Sequence, residues 1–311
     1  MLRKTTRAML ALGAFALFAA SAGAQAPAAP RAENPRAADL HAKLAKDLEQ
    51  AASNFDGVMG FAVKDLTTGE TFQLNSAIQF PTASAIKIPI LIELLLQAQD
   101  GKLRLEDRVE IRHADTVGGS GLLADFADGG SAISIRDLAA LMIVLSDNSA
   151  TNMLIDRVGI ENVNQTLARL GFMQTRLGRK MMDTSAQRED RENLSTPREL
   201  ADLLELLYRG KLLDAAHTKQ ALELLTYYKD TPLRRGIPEN VALANKWGST
   251  AGVRCDAGIV LLENRPYVIS VMTTYAADGD AAEHAITDVS RRVFSYFDRL
   301  AKSNSHGARV R

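Results

Sequence analysis

Apolar residues recur at Leu40, Leu44, Leu48 and Ala51, a spacing that predicts a helix over 40–55. Two strand-like runs, 58–66 and 71–74, flank Thr67-Thr68-Gly69-Glu70 and predict a hairpin. The stretch from Ile86 through Ile88, Ile90, Leu91, Ile92, Leu94, Leu95 and Leu96 is apolar nearly all round, so a buried helix is expected over 84–98. Pro89 fits there if the helix begins at Ser84, because first-turn N–H groups have no partner to lose. Residues 105–128 show no period, and Gly118-Gly119-Ser120-Gly121 marks a loop. Ser134 is a good cap for a helix over 135–146, where Leu138, Leu141, Met142 and Leu145 share a face. Further helices are expected at 149–158, 160–170, 197–209 and 214–228. Three strand-like runs follow at 241–247, 255–262 and 267–275, then a long helix at 280–300. No internal repeat is visible. Strands near both ends with helices between them predict an α+β fold, not an alternating βα one.

Three short motifs lie on this frame in order. Ser84-Ala85-Ile86-Lys87 opens the apolar helix, and positions i and i+3 share a helix face, so Ser84 and Lys87 should meet. Serine needs a base within hydrogen-bond reach to act as a nucleophile. Burial lowers a lysine pKa, and a neutral Lys87 amine could take the serine proton. Free N–H groups at the helix start could face a developing oxyanion. Ser146-Asp147-Asn148 follows the next apolar helix, where such residues also make ordinary turns. Lys246-Trp247-Gly248 sits in a strand-like run, and Gly248 allows backbone to approach a ligand closely.

As a set, the motifs resemble the active site of the penicillin-recognising serine hydrolases. The string Ser146-Asp147-Asn148-Ser149-Ala150-Thr151-Asn152-Met153-Leu154 is similar to the corresponding stretch of class A β-lactamases. The resemblance covers nearly all of 39–302. It implies a β-lactamase/D,D-peptidase-like fold: a five-stranded antiparallel sheet flanked by helices, plus an all-helical lobe. An α/β lobe would comprise 39–83 and 241–302, and a helical lobe 84–240. Ser84 would be the nucleophile, Lys87 its base, and Ser146 a proton relay. Asn148 would hold a substrate amide and Asp147 would be structural. Lys246 would supply positive charge. The N–H groups of Ser84 and Ser249 would form an oxyanion hole, and Arg254 would meet the substrate carboxylate.

Two departures from the pattern stand out. Trp247 replaces the Thr or Ser that normally follows the strand lysine, and its indole could line the site or enter the core. The second lies in the loop 176–196, which ends at Ser195-Thr196-Pro197. Counting back from that end puts Arg179 on the family's loop arginine and Met181 where a deacylating Glu belongs. A thioether cannot activate water. Asp183 is the nearest carboxylate and a possible deacylation base, whereas Glu189, Asp190 and Glu192 lie in a charge-dense, solvent-facing stretch.

The N-terminus changes the setting. Arg3, Lys4 and Arg7 precede an apolar run over 8–20 and then Ala22-Gly23-Ala24, the pattern of a secretory signal peptide cut after Ala24. Residues 25–38 read as a disordered linker and 303–311 as a tail. A periplasmic or secreted protein is expected, without a membrane span. The full chain balances 37 basic against 37 acidic residues, and removal of 1–24 leaves a net charge of −3. That gives no case for nucleic acid. Cys255 is the only cysteine, so no intrachain disulfide forms and a buried, inert thiol is expected. His41, His113, His217, His284 and His306 are scattered, so neither a metal site nor any other cofactor is implied. The expected partner is a small-molecule β-lactam or a D-Ala-D-Ala-type peptide, met by a monomer. The readings are a β-lactam-hydrolysing enzyme acylated at Ser84, a D,D-peptidase-like or esterase activity at the same serine, or a penicillin-binding module that acylates without turnover.

Overall fold

The structure, a computed structural model, describes residues 35–310; the signal-peptide reading and residues 25–34 fall outside the described residues. The chain opens with α1 (Pro35–Ser53), the hairpin β1 (Val58–Asp65) and β2 (Thr71–Leu74), and a two-residue strand β3 (Phe80–Pro81). A 3-10 turn over Ala83–Ile86 leads into α2 (Lys87–Gln99). Short strands β4 (Arg108–Glu110) and β5 (Ala132–Ser134) pair with each other ahead of α3 (Ile135–Val144), α4 (Asn148–Val158) and α5 (Ile160–Arg169). A long loop carries α6 (Thr184–Arg188) and β6 (Leu194–Ser195), which pairs with β3. Then come α7 (Pro197–Tyr208), α8 (Ala215–Thr226), α9 (Pro232–Arg235), β7 (Leu243–Thr250), β8 (Val253–Val260), β9 (Tyr267–Thr274) and α10 (Gly279–Ala301). The main sheet has five antiparallel strands in the order β2-β1-β9-β8-β7, as expected.

Side-chain alternation along the strands builds two cores. Met59, Phe61 and Val63 of β1 face Leu44 and Leu48 of α1 and Ile286, Val289, Val293 and Phe297 of α10. Ala62, Ala257 and Ile259 look the other way, toward α2, α7 and the helical region. The small residues on that second face let α7 lie close: a Cβ at Gly60 would stand 2.8 Å from the Phe80 ring and 3.1 Å from Pro197. The helix over 197–208, read from the sequence as part of the helical lobe, thus belongs against the sheet. Its start is well specified, with Thr196 accepting from the Glu199 N–H at 3.0 Å and Pro197 in the first turn. Ser134 caps α3 in the same way, through the Asp137 N–H. Such caps are each worth about 1 kcal/mol.

Three boundaries differ from the sequence reading. Residues 35–38 lie in α1, not in a linker. Residues 303–309 are not a plain tail, since Ser303 bridges back to Arg309. The strand pair β7–β8 also extends further toward its connecting turn, to Thr250 and Val253, which pair around Ala251-Gly252. Gly252 takes φ +69° there, a conformation glycine accepts without strain. Cys255 is buried in β8, and burial raises its thiol pKa, as expected of an inert thiol. Among the described residues no helix is long and apolar enough to cross a membrane.

Candidate active site

β7 forms one edge of the sheet, and the 3-10 turn that carries Ser84 lies against it. A Cβ at Gly248 would overlap the Ser84 nitrogen and come within 2.9 Å of the Ala85 nitrogen, so only glycine permits this approach. Ser84 lies in the turn and Lys87 is the first residue of α2, so the sequence-expected helix begins three residues late. The i, i+3 relation survives, because side chains three apart eclipse in a 3-10 turn and the Lys87 N–H donates to the Ser84 carbonyl. Ala83, just before the nucleophile, takes φ +44°. Such left-handed non-glycine backbone is costly and clusters at functional sites.

Ser146 shows the same signature, at φ +55° between α3 and α4. Its hydroxyl sits between two buried amines. Lys87 Nζ donates to Ser146 Oγ at 3.1 Å, to the Ser146 carbonyl at 2.7 Å and to Asn148 Oδ1 at 3.0 Å. Lys246 Nζ, on β7, donates to the same Oγ at 3.1 Å and to the Trp247 carbonyl at 2.7 Å. Asn148 Nδ2 donates to the Gly118 carbonyl at 3.1 Å, which fixes the orientation of its amide. Asp147 is structural. One oxygen caps α4 through the Ala150 N–H at 2.8 Å, and the other accepts from the N–H groups of Leu122 and Leu123 at 2.6 and 2.9 Å.

Neither lysine carries its ordinary pKa. Burial, then the charge of Lys246, holds the Lys87 amine well below the usual lysine value, against an opposing pull from Asp147. Burial, then the charge of Lys229, lowers Lys246 to about 7, against Asp256 and Cys255. A neutral Lys87 has two N–H bonds for the Ser146 carbonyl and Asn148, and a lone pair left to accept a hydroxyl proton.

The loop over 176–196 is held at its neck. Arg176 and Leu194 bridge, and Asn193 Oδ1 accepts from the N–H groups of Gly178 and Arg179 at 2.8 and 3.0 Å. Arg179 Nε donates to Glu192 at 3.0 Å, so Glu192 closes the loop and is half-buried, while Glu189 and Asp190 are exposed. The Asn193 carbonyl accepts from the Thr82 N–H at 2.9 Å, which ties the loop to the turn carrying Ser84. Met181 is buried, and Asn152 clamps its backbone on both sides: N–H to Oδ1 at 2.8 Å and carbonyl to Nδ2 at 3.1 Å. Asn152 stands four residues after Asn148 and therefore on the same helix face, which is the signal that could have marked it from sequence.

Four of the expected residues thus come together: Lys87, Ser146, Asn148 and Lys246, with Ser84 and Gly248 beside them. Ser249 lies exposed on β7, one residue past Gly248. Two residues go elsewhere. Asp183 caps α6 through the Ala186 N–H at 2.9 Å and is exposed, because Met182 at φ +62° turns the chain between it and Met181. Arg254 turns to α10, where its Nε donates to Glu283 at 3.1 Å and its Nη1 to the carbonyls of Thr250 and Val253, each at 3.0 Å. Trp247 is half-buried and belongs to neither core. A groove of about 1040 Å³ beside α8, lined by Tyr208, Leu213, Leu222 and Tyr227 among others, contains none of these residues.

Comparison with known proteins agrees with this geometry. The beta-lactamase enzyme family matches residues 43–297. β-Lactamase SME-1 of Serratia marcescens is 28% identical over 272 residues, covering 84% of this chain and 90% of its own. The structure of an ancestral class A β-lactamase superposes with a TM-score of 0.76 at 28% identity, covering 82% of this chain and 100% of its own. A leucine-to-glutamate variant of PBP-A, solved as its acyl-enzyme complex with penicillin G, superposes with a TM-score of 0.76 at 28% identity, covering 83% and 97%. With a serine one turn before a buried lysine, a second serine shared by two amines, and a glycine-edged strand against the turn, the chain belongs to the beta-lactamase enzyme family and is a class A-like serine hydrolase.

Proposed function

We propose that the protein is an exported serine hydrolase that β-lactams acylate at Ser84 and that releases the acyl group slowly. The observation behind the slow step is Met181, buried and clamped by Asn152 at the loop position where the sequence count expects the base, with Asp183 committed to capping α6.

The acylation step draws on the residues around Ser84. The neutral Lys87 amine takes the Ser84 proton as Oγ attacks the lactam carbonyl. The N–H groups of Ser84 and Ser249 hold the oxyanion. Asn148 Nδ2 has a second N–H for the acyl amide of the substrate. Ser146 Oγ, in contact with both amines, passes a proton to the departing nitrogen and is reprotonated from Lys87 or Lys246. Hydrolysis of the ester then needs a base for water, and a thioether supplies none. The amines of Lys87 and Lys246 remain, already engaged with Ser146 and, for Lys87, Asn148.

Incubation with a penicillin, followed by intact-protein mass spectrometry, should give one adduct per chain on the peptide containing Ser84. Pre-steady-state kinetics should show a burst followed by slow turnover. An adduct on another serine, equal labelling of Ser84→Ala, or fast turnover without a burst would overturn the reading.

Export is tested separately. The apolar run and the Ala22-Gly23-Ala24 stretch call for protein recovered outside the cytoplasm to begin at or within a few residues of Gln25. An intact chain beginning at Met1 in the cytoplasm would contradict this.

A further inference from the structure

Behind β7 the chain gathers two buried cations. Lys229 follows α8 and Arg234 lies in α9, and each side chain is more than nine-tenths buried. Both line a cavity of about 180 Å³, together with Tyr228, Glu239, Leu243 and Asn245. Leu243 and Asn245 alternate along β7 with Ala244 and Lys246, so the cavity lies on the face of the strand opposite Lys246 and Gly248. It is therefore separate from the site around Ser84.

Main-chain carbonyls hold the two cations in place. Lys229 Nζ donates to those of Leu225 and Tyr227 at 2.7 and 2.6 Å. Arg234 Nη1 donates to that of Val241 at 2.8 Å, and Nη2 to those of Ile237 and Pro238 at 2.7 and 2.5 Å. These bonds secure the end of α8 and the approach to β7, but they leave both formal charges unbalanced. Neither cation has an ion-pair partner among the described residues. Asp256, the buried carboxylate whose charge reaches Lys229, accepts instead from the Leu233 N–H at 3.0 Å and from Asn245 Nδ2 at 2.8 Å. Glu239 lines the cavity but is exposed. Burial lowers the Lys229 pKa only to about 8, so its amine is mostly charged at neutral pH, as the guanidinium is throughout. Donors are also left over. An ammonium carries three N–H bonds and a guanidinium five, so one N–H of Lys229, one of Arg234 Nη1 and that of Arg234 Nε have no protein acceptor. Buried charges are ordinarily paired, and here the two cations share one cavity.

We propose that this cavity is a binding site for a small oxyanion, held by Lys229 and Arg234 on the reverse face of β7 from the catalytic serine. Its volume equals that of about six liquid waters at about 30 Å³ each, which suits a free ion of sulfate, phosphate or carboxylate size. Acylation of Ser84 is not required for it.

Isothermal titration of the purified protein with sodium sulfate, set against sodium chloride at equal ionic strength, should show saturable binding of one ion per chain with a millimolar or tighter Kd. Lys229→Gln keeps amide donors for the Leu225 and Tyr227 carbonyls and removes the charge. It should weaken sulfate by about tenfold or more, the size of a hydrogen bond to a charged group. Lys229→Arg, which keeps the charge, should bind nearly as the wild type does. Wild-type crystals soaked in selenate give a second measurement that needs no variant: the anomalous signal of selenium should lie beside Lys229 and Arg234. Absence of saturable sulfate binding, a folded Lys229→Gln that binds sulfate as tightly as the wild type, or selenium found only at the Ser84 site or on the outer surface would each overturn the proposal.

Discussion

Replacing Met181 by glutamate should raise the steady-state rate of β-lactam hydrolysis by about 10²–10⁴-fold, the usual contribution of a positioned general base. The effect should fall on deacylation alone. Position 181 is already held: Asn152 bonds its N–H and its carbonyl, the Arg179–Glu192 pair closes the loop, and Asn193 ties the loop to the turn before Ser84. A new carboxylate there would start from a fixed backbone. The burst amplitude should shrink as the acyl-enzyme ceases to accumulate, while the acylation rate stays near that of the parent. Stopped-flow measurement with a chromogenic β-lactam separates the two steps. Asp183→Asn is the matching control. Its carboxylate caps α6, so that substitution should leave deacylation unchanged. If Met181→Glu folds and its deacylation does not rise, or if Asp183→Asn abolishes turnover, the base is not missing in the way the loop geometry indicates.

The sequence was informative where chemistry is local and silent where it depends on a distant partner. Ser84 and Lys87 are three residues apart, and Ser146 to Asn152 form one contiguous string, so their relations follow from helix or turn periodicity. The 3-10 turn in place of a first helical turn was not legible, because it depends on Ala83 at φ +44° and on packing against Gly248. The far end of β7 was missed because Ser249 and Thr250 are polar and exposed on an edge strand, where alternation carries no signal. Asp183 looked close to Met181 because it is two residues away, yet left-handed Met182 separates the two in space. Arg254 was legible as a cation, but its partner Glu283 lies 29 residues on, and nothing local connects them. Lys229, whose charge lowers Lys246, has no sequence signature either: its amine folds back onto the carbonyls of Leu225 and Tyr227 at 2.7 and 2.6 Å.

Lys87→Arg should reduce acylation by about 10²–10⁴-fold, because a guanidinium stays protonated and cannot accept the Ser84 proton. Circular dichroism and the thermal midpoint would show whether the buried site still folds, and Lys87→Met, which carries no charge, gives a second variant of similar length. The pH dependence gives the base a signature that loss of packing cannot imitate. In the wild type the folded-state pKa of Lys87 is depressed, so acylation should fall as pH drops through that value and Lys87 takes up a proton. Lys246 stands beside it, itself lowered to about 7 by burial, and its charged form holds the Lys87 amine down. Removing the neighbouring charge with Lys246→Met should let the Lys87 pKa rise, moving the acid limb of the residual acylation rate to higher pH. A limb that stays in place, or moves to lower pH, would show that Lys87 is not the titrating base. Lys87→Arg acylating at close to the wild-type rate would show the same without any titration.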